Sequence, residues 1–182
     1  VMRRKLIRRL AIAVLTLVIM LAGTMPVLAD NRGNGKGHGN GFEIEVKGKG
    51  GKGGKQSYKL EFDDVNAQAE WAQKYIASLA AKKVFEGYTD GTFKPNKAVS
   101  RIEVVVSLVR FMDLRDEAED PAKWNVDLLF EDEQQIRKKN AWAVGYLAVA
   151  QESGLFGEIS GKLHPEKAAD RLWVTELIVR AL

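Results

Sequence analysis

Adjacent carboxylates are the side chains of this sequence whose types and spacing come nearest to catalytic chemistry. Two such pairs occur, Asp63-Asp64 and Glu131-Asp132. Paired carboxylates can act as general acid and general base when their surroundings separate their pKa values. Both pairs stand near the entry of a repeated segment, where acidic side chains cap helices or stay solvated. No region outside the repeats is large enough for a catalytic domain, so we expect no enzyme activity.

Metal and thiol chemistry have little support. The chain has no cysteine and only two histidines, His38 in a glycine tract and His164 before a proline. Two isolated loop histidines make a poor ligand set, and the absence of cysteine excludes a thiol nucleophile or a cysteine-ligated metal. We therefore expect no metal and no cofactor.

One segment of the chain occurs twice, about 70 residues apart. Each copy carries a Trp-Ala dipeptide, and further identical residues fall into register behind it. A repeat of this kind is one supersecondary unit that cannot bury its apolar face alone, so function is expected at junctions between copies. The pairs in register are Gly87 and Gly157, Gly91 and Gly161, Pro95 and Pro165, Arg101 and Arg171, and Arg110 and Arg180.

The first copy carries the signals of a helix, a tight turn and a second helix. Apolar residues at three- and four-residue steps predict a helix over about 67–83, with Trp71 on its core-facing stripe and Asp64 or Asn66 as its cap. Asp90 and Gly91 are typical of a tight turn.

The helix after this turn has a capping box at its start, in which the Ser and Glu side chains bind two amide donors. This helix is predicted to reach about Met112. The box is Ser100-Arg101-Ile102-Glu103.

The second copy, 130–182, keeps this frame and departs from it in the turn and in the capping box. Ser160 precedes the turn glycine where the first copy has an aspartate, and Trp173 stands where Glu103 closes the box. Asp170 is predicted to cap the last helix. The acidic connector between the copies, 113–129, is predicted to contain a short helix around Trp124.

The first 61 residues differ in composition from the repeats. Residues 1–29 have a basic start, an apolar stretch over 10–22 and small residues before Asp30, which predicts a signal peptide cleaved after Ala29. The alternative is a retained N-terminal anchor. Residues 30–61 form a predicted flexible linker rich in Gly and Lys, with a possible short strand over 42–46.

The formal charge of +4 is unevenly distributed. The segment 1–29 has five basic and no acidic side chains, and 30–61 has seven basic and four acidic ones. By contrast, 62–182 has sixteen basic and twenty acidic side chains. Nucleic-acid binding needs clustered Lys and Arg on the folded surface, so no nucleic-acid partner is expected. The linker is either a solvated tether or a contact with anionic wall polymers or phospholipid.

The first copy resembles the S-layer homology domain. The resemblance is clear over 62–112 and degenerate over 130–182, where the copy is expected to be truncated. It implies a mainly α fold of tandem helix-loop-helix repeats, preceded here by the flexible Gly/Lys-rich spacer. The residues that carry it are Phe62-Asp63-Asp64-Val65, Trp71-Ala72, the run from Gly87 to Pro95, and Ser100-Arg101-Ile102-Glu103.

The resemblance implies an exported module that anchors its protein to the cell wall. Family members usually carry three copies, and the grooves between them bind a secondary cell-wall polysaccharide, often bearing a ketal-linked pyruvate. The expected partner is therefore an anionic glycan at the cell surface, with no membrane contact after signal cleavage. Two copies leave the three-part assembly incomplete, so either a longer chain supplies the third or the protein self-associates.

The basic residue of the helix-start motif is typically important for binding in this family, which points to Arg101 and Arg171. A guanidinium there offers a planar fork beside free backbone amides and the positive end of the helix dipole. A surface ion pair with Glu103 or an interdomain contact is the alternative role of Arg101. The remaining candidate binding residues are Trp71, Gly87, Tyr88, Asp90, Gly91, Ser100 and Glu103.

Structural roles compete with binding at several of these candidates. Trp71 is either a core anchor or a ring face for a sugar, and Asp90 and Gly91 are explained by the turn alone. Two other functions also stay open: the anchor of a longer wall or polysaccharide-degrading enzyme, and a surface scaffold for protein interactions.

Overall fold

The structure is a computed structural model that describes residues 42–46, 56–60, 62–65 and 70–182. The predicted signal peptide and most of the predicted linker lie outside the described residues. The chain divides into two compact units, and the described residues up to 97 belong to one while 98–182 belong to the other. This division falls inside the first sequence copy. Most described residues in regular structure are helical, which confirms a mainly α fold.

A β-hairpin precedes the helices. Strand β1 (Phe42–Val46) pairs antiparallel with β2 (Gln56–Leu60), with Phe42 opposite Leu60 and Val46 opposite Gln56. The alternation over 42–46 predicts β1. Its partner β2 was not predicted, because residues 56–60 were interpreted as part of the flexible linker. A lone strand is not stable in water. The hairpin lies against the first helix of the same unit.

The first helix is shorter than predicted. A 3₁₀ turn at Glu70–Ala72 leads into α1 (Gln73–Ala81), which buries Ile76, Ala77 and Leu79. No side-chain cap is present on α1, so the predicted cap by Asp64 is wrong, and the alternative cap, Asn66, lies outside the described residues. Asp64 instead binds the loop at 93–94, where two backbone amides have no helical partner.

The second helix agrees with the prediction. Helix α2 (Arg101–Phe111) begins with the complete capping box and buries Ile102, Val104, Val105, Val106, Leu108 and Val109. The connector then forms α3 (Arg115–Ala118) and a 3₁₀ helix at Pro121–Asn125, which confirms the short helix predicted around Trp124. Arg137 holds the connector in place, because its guanidinium donates to the carbonyls of Trp124 and Val126.

Helix α5 is the centre of the unit formed by 98–182. It is preceded by α4 (Glu133–Lys139) and a 3₁₀ turn at Ala141–Ala143. Every residue from Val144 to Ala150 of α5 (Val144–Glu152) is buried, and α2, α3 and the 3₁₀ helix of the connector pack around it. The last helix, α6 (Arg171–Arg180), is capped by Asp170 as predicted.

A polar network joins three of these helices. The Tyr146 hydroxyl on α5 donates to Glu119 at 2.6 Å and accepts from Arg110 of α2 at 3.3 Å. This hydrogen bond from Tyr146, followed by one from Arg115, holds the pKa of Glu119 below its usual value. Burial and the bond to Glu119 raise the pKa of Tyr146. The network satisfies a buried hydroxyl that would otherwise oppose packing of α5.

The two sequence copies share backbone geometry. Gly91 and Gly161 have φ of +79° and +80°, and Lys94 and His164 have φ of +57° and +53°. Non-glycine residues rarely adopt positive φ, so its recurrence at equivalent positions is specific. The repeat seen in the sequence is therefore also a repeat of loop conformation.

Candidate functional site

The start of α2 is fixed by a reciprocal pair of hydrogen bonds. Ser100 is extended, with φ −80° and ψ 160°, and its backbone N–H donates to the Glu103 carboxylate at 2.7 Å. The Ser100 hydroxyl in turn accepts from the Glu103 amide at 3.4 Å. Both residues therefore satisfy the helix end, and their predicted part in binding a ligand stays a prediction.

Arg101 projects from this helix start toward a segment of the second copy. Its Nη1 donates to the Leu163 carbonyl at 2.9 Å, and its Nη2 lies 3.8 Å from an Asp170 oxygen. The guanidinium carbon lies 4.9 Å from the centre of the Trp173 ring. The side chain is 15% exposed, so it is held between two parts of the unit rather than free in solvent.

The backbone amides beside Arg101 are not free, contrary to the expectation from the sequence. The Arg101 amide donates to Lys167 at 2.9 Å, and the Ile102 amide donates to Pro165 at 3.0 Å. Because these amides are engaged, an anion at this helix start would have to bind the N–H groups of the Arg101 guanidinium. Among them, Nε is buried and has no hydrogen-bond partner within the described residues.

Arg171 has different surroundings. It is exposed at the start of α6, where Asp170 accepts from the Trp173 amide at 2.9 Å. The second copy has no capping box, because an indole at Trp173 cannot accept the N-cap amide as a carboxylate does. Two arginines that occupy equivalent sequence positions therefore differ in burial and in hydrogen bonding.

The predicted turn residues form one closed loop. The Tyr88 amide donates to the Thr92 carbonyl at 2.8 Å, and the Gly91 amide donates to Tyr88 at 2.9 Å. Asp90 bonds the Thr92 hydroxyl and amide, and Lys94 Nζ lies 2.8 Å from its other oxygen. Hydrogen bonds from Lys94 and then from Thr92 lower the pKa of Asp90 well below its usual range. Both Asp90 oxygens are thus engaged within the turn.

The Tyr88 ring lies beside two lysines, Lys94 and Lys97, which the sequence did not mark as candidates. The ammonium groups of Lys94 and Lys97 lie 4.4 and 4.6 Å from its ring centre. Lys97 also donates to the Tyr88 hydroxyl at 2.9 Å. Both ammonium groups therefore lie against the Tyr88 ring, and Lys94 also pairs with Asp90, so the contacts of this loop include two cation–π contacts and an ion pair.

Gly87 and Gly91 of this loop are required to be glycine for different structural reasons. A side chain at Gly87 would lie 2.7 Å from the Thr92 carbonyl and closer still to the Phe62 ring. Gly91 has open space around it, so its need is the positive φ. Close packing accounts for the glycine at position 87, and its predicted part in binding stays a prediction.

Trp71 is 48% exposed, so its predicted place on the core-facing stripe of the first helix is wrong. The residue that follows it, Ala72, is buried instead. Trp142 is exposed in the same way in the second copy, again before a buried alanine. An exposed indole beside a short buried anchor leaves a ring face open to a sugar.

The candidates thus fall into separate groups. Ser100, Arg101 and Glu103 share the start of α2, and Asp170 brings the start of α6 next to Arg101. Tyr88, Asp90 and Gly91 share one loop in the other unit, which also contains Trp71.

Asp64 and Asp132 were not recognised as organisers of these loops. Asp64 accepts from the amides of residues 93 and 94 at 2.8 and 2.6 Å. Asp132 accepts from the Leu163 and His164 amides, both at 2.9 Å. The sequence contains a signal for this role, the Phe-x-Asp pattern at the start of both repeats. The aspartates of this pattern were interpreted as helix caps or solvated charges instead.

The described part of the chain contains no group of three or more His, Cys, Asp or Glu side chains placed to hold a metal ion. No helix within that part is long and apolar enough to span a membrane.

Comparison with known families gives a match over the first copy. Residues 61–105 match the family model of the S-layer homology domain. No solved structure matches the chain.

Three relatives illustrate the proteins that this chain is similar to. An uncharacterized cell wall amidase of Bacillus anthracis is 30% identical over 68% of this chain. A surface-layer 125 kDa protein of Lysinibacillus sphaericus is 26% identical over 66% of it, and a cellulosome-anchoring protein of Acetivibrio thermocellus is 38% identical over 30%. These matches cover 20%, 9% and 12% of the respective relatives, so the chain spans a fifth of their length or less.

Proposed function

The chain carries an S-layer homology domain at residues 61–105, and from this premise we propose that it is an exported module that binds the bacterial cell wall without catalysis. The family match is the observation that carries the proposal. The names of the relatives support it, since they include a cell wall amidase, a cellulosome-anchoring protein and a surface-layer protein. The second copy, 130–182, is proposed to be a degenerate repeat of the same type.

The proposed ligand is an anionic secondary cell-wall polysaccharide, in which a pyruvyl ketal supplies the carboxylate. Two features of the structure support a ligand of this charge. The buried Nε of Arg101 is a cationic donor that has no hydrogen-bond partner among the residues that the structure describes, and an unsatisfied buried donor costs about 1–3 kcal/mol. Lys94 and Lys97 place two further cations on the Tyr88 ring.

The carboxylate of Asp170 lies beside Arg101 and would repel an anionic ligand. This carboxylate lies 3.8 Å from Nη2 of Arg101, which is longer than a hydrogen bond, and the aspartate is exposed. A ligand carboxylate that reaches Arg101 would therefore have to displace Asp170 from this position. Because Asp170 also caps α6 through its other oxygen, only the weak contact needs to break.

A longer enzyme is the second candidate. The relatives include an amylopullulanase and an endoglucanase, and the chain covers 6% and 12% of these proteins. In that case the module would be the anchor, and a catalytic domain would lie in another part of a longer product. Intact mass of the secreted protein distinguishes the two candidates.

The test is sedimentation of the full secreted chain with cell-wall sacculi that retain or lack their polysaccharide. The chain is expected to pellet only with intact sacculi, and Arg101→Ala is expected to weaken binding at least about tenfold, since a charge-assisted fork is lost. Arg101→Lys keeps the charge but not the fork and should bind at an intermediate level. Lys138→Ala, an exposed cation of α4, is the matched control.

Two results would contradict the proposal. Equal sedimentation with stripped peptidoglycan would remove the polysaccharide as ligand. Unchanged binding by a folded Arg101→Ala variant would remove this arginine from the site. Binding that ignores competing pyruvate and needs a protein partner would favour the scaffold function instead.

A further inference from the structure

A cavity of about 350 Å³ lies at the start of α4, wholly inside the unit formed by 98–182. Its volume is within the range of small-ligand pockets, about 300–1,000 Å³. The walls come from residues 130–135 and from Lys162 of the turn beside them. Arg101 does not line this cavity, so it is separate from the anion site proposed above.

Hydrogen bonds fix the two walls of the cavity relative to each other. The Glu131 amide donates to the Gly161 carbonyl at 3.0 Å, which joins the start of α4 to the turn. Asp132 accepts from the amides of Leu163 and His164, which follow the turn directly. The shape of the cavity is therefore set by the fold and does not have to form when a ligand binds.

Two acidic side chains of the lining already have structural partners. Both oxygens of Asp132 accept amides, and Glu133 accepts from the Leu128 amide at 3.0 Å and from Arg137 at 2.8 Å. The Leu128 amide, followed by Arg137, holds the pKa of Glu133 below its usual value, so this carboxylate stays ionised. In the first copy the residue after the equivalent aspartate is Val65, which is fully buried. A charged wall at this position is thus a feature of the second copy.

Four exposed polar side chains of the lining have no such partners. None of them makes a hydrogen bond or an ion pair with the part of the chain that the structure describes. These side chains are Glu131, Gln134, Gln135 and Lys162. Glu131 and Lys162 have opposite charges and line one cavity without pairing across it. The cavity therefore presents a free acceptor, a free donor and two amides that can each do both.

The charges of the lining disfavour ions as ligands. An anion would meet the carboxylates of Glu131, Asp132 and Glu133, with only Lys162 to attract it. A cation would be repelled by Lys162 and would find one uncommitted carboxylate, because the other two are engaged. The described residues also include no group of acidic side chains placed to hold a metal ion. An uncharged ligand with many hydroxyl groups fits best, since each hydroxyl both donates and accepts.

We propose that this cavity binds an uncharged sugar. The sugar hydroxyls would lie between Glu131 and Lys162, donating to the carboxylate and accepting from the ammonium group. Phe130 is the one apolar residue of the lining and would contact the C–H groups of the sugar ring. Phe156 holds it in place through an edge-on contact, with the ring centres 5.0 Å apart. This site does not depend on the proposed anion site at Arg101.

The first experiment is an NMR titration of the full secreted chain with glucose, galactose, N-acetylglucosamine and diacetylchitobiose. At least one of these sugars should shift the side-chain amide signals of Gln134 and Gln135. Small polar ligands bury few atoms, so we expect a dissociation constant of about 0.1–10 mM. The affinity should change by less than about twofold between about 50 and 500 mM salt, because the ligand has no charge to screen.

The second experiment removes the two charged groups of the lining one at a time. Glu131→Ala and Lys162→Ala should each weaken sugar binding at least about tenfold, because a hydrogen bond to a charged group is lost. Both residues are exposed, so circular dichroism should stay native. Glu158→Ala and Lys138→Ala are the matched controls, since these exposed residues do not line the cavity.

The sugar has two possible sources in a cell wall, and a third experiment separates them. The Arg101→Ala variant is titrated with wall polysaccharide from which pyruvate has been removed, and separately with soluble peptidoglycan glycan strands. Shifts of the Gln134 and Gln135 signals by the first would identify the polysaccharide as the source, and shifts by the second would identify peptidoglycan. In either case Glu131→Ala in the same background should abolish the shifts.

Three outcomes would overturn the proposal. The first is that none of the sugars or glycans shifts the Gln134 and Gln135 signals at up to about 20 mM ligand, well above the expected constant. The second is sugar binding that is unchanged in both Glu131→Ala and Lys162→Ala. The third is that acetate or glycine binds in the cavity more tightly than every sugar, which would make it a site for charged ligands. Retention on sacculi tests the anion site separately, so failure here leaves that proposal standing.

Discussion

At the scale of single residues, Asp132 shows how a carboxylate in an apparent catalytic pair can act as a structural acceptor. It is 8% exposed, and its two oxygens bind the amides of Leu163 and His164. His164 has positive φ, so its amide points away from any regular partner. The Asp132 carboxylate supplies the hydrogen-bond acceptors that the backbone does not provide. The conformation of the loop that begins at Leu163 and His164 therefore depends on this carboxylate.

Removing this carboxylate should destabilise the loop. Asp132→Ala leaves two amide donors without a partner, and we expect the free energy of unfolding to fall by about 2–4 kcal/mol. Urea denaturation followed by circular dichroism measures this loss. The exposed neighbour provides the control, since Glu131→Ala should change stability by less than about 0.5 kcal/mol. Equal losses in the two variants would assign the effect to charge rather than to the two hydrogen bonds.

Sequence reasoning identified Arg101 but not its neighbours. The capping box is local, so four consecutive residues were enough to predict the helix start. Its partners Leu163 and Trp173 lie more than sixty residues further along the chain, and a main-chain carbonyl leaves no residue-type signal. The amides of Arg101 and Ile102 were expected to be free for the same reason: their acceptors, the carbonyls of Lys167 and Pro165, are also main-chain groups far along the chain.

At the scale of elements, helices with strong end signals were predicted best. Ser100 and Asp170 fix the starts of α2 and α6, and both are side-chain caps in the structure. Helix α1 has no side-chain cap, and its predicted start at about 67 was too early. A periodic apolar stripe alone does not distinguish a 3₁₀ turn from the first turn of an α-helix, which is how Trp71 was placed in the core.

The packing of α5 against the connector depends on one glycine. A methyl group at Gly145 would overlap the Ala118 carbonyl of the segment that ends α3 and would lie 3.0 Å from the Trp124 ring. The obstacle is backbone, which cannot rotate away. Gly145→Ala should therefore lower the free energy of unfolding by about 1–3 kcal/mol despite the better helix propensity of alanine.

Fluorescence separates this effect from general loss of stability. Trp124 is half-exposed beside Gly145, so its emission should shift as the connector moves away, and hydrogen exchange should accelerate in α3. A Gly145→Ala protein that is more stable than the wild type, as helix propensity alone predicts, would contradict the close approach.

At the scale of the whole molecule, charge separates two possible ways of binding an anionic wall. Residues 62–182 have twenty acidic and sixteen basic side chains, so the repeats have a net negative charge, as the proposed glycan does. In the proposed binding mode, attraction comes from local cations such as Arg101, Lys94 and Lys97. The linker, 30–61, instead has seven basic residues against four acidic ones and could bind by charge alone.

Salt dependence distinguishes these two modes. Binding through one or two forked contacts in a partly buried site should change by less than about tenfold between about 50 and 200 mM salt, because screening also weakens the overall repulsion. Binding of a basic tract to a linear polyanion releases counterions and should fall by about a hundredfold or more. Retention on intact sacculi over this range measures the slope. A steep slope that Arg101→Ala leaves unchanged would transfer wall binding from the S-layer homology domain to the linker.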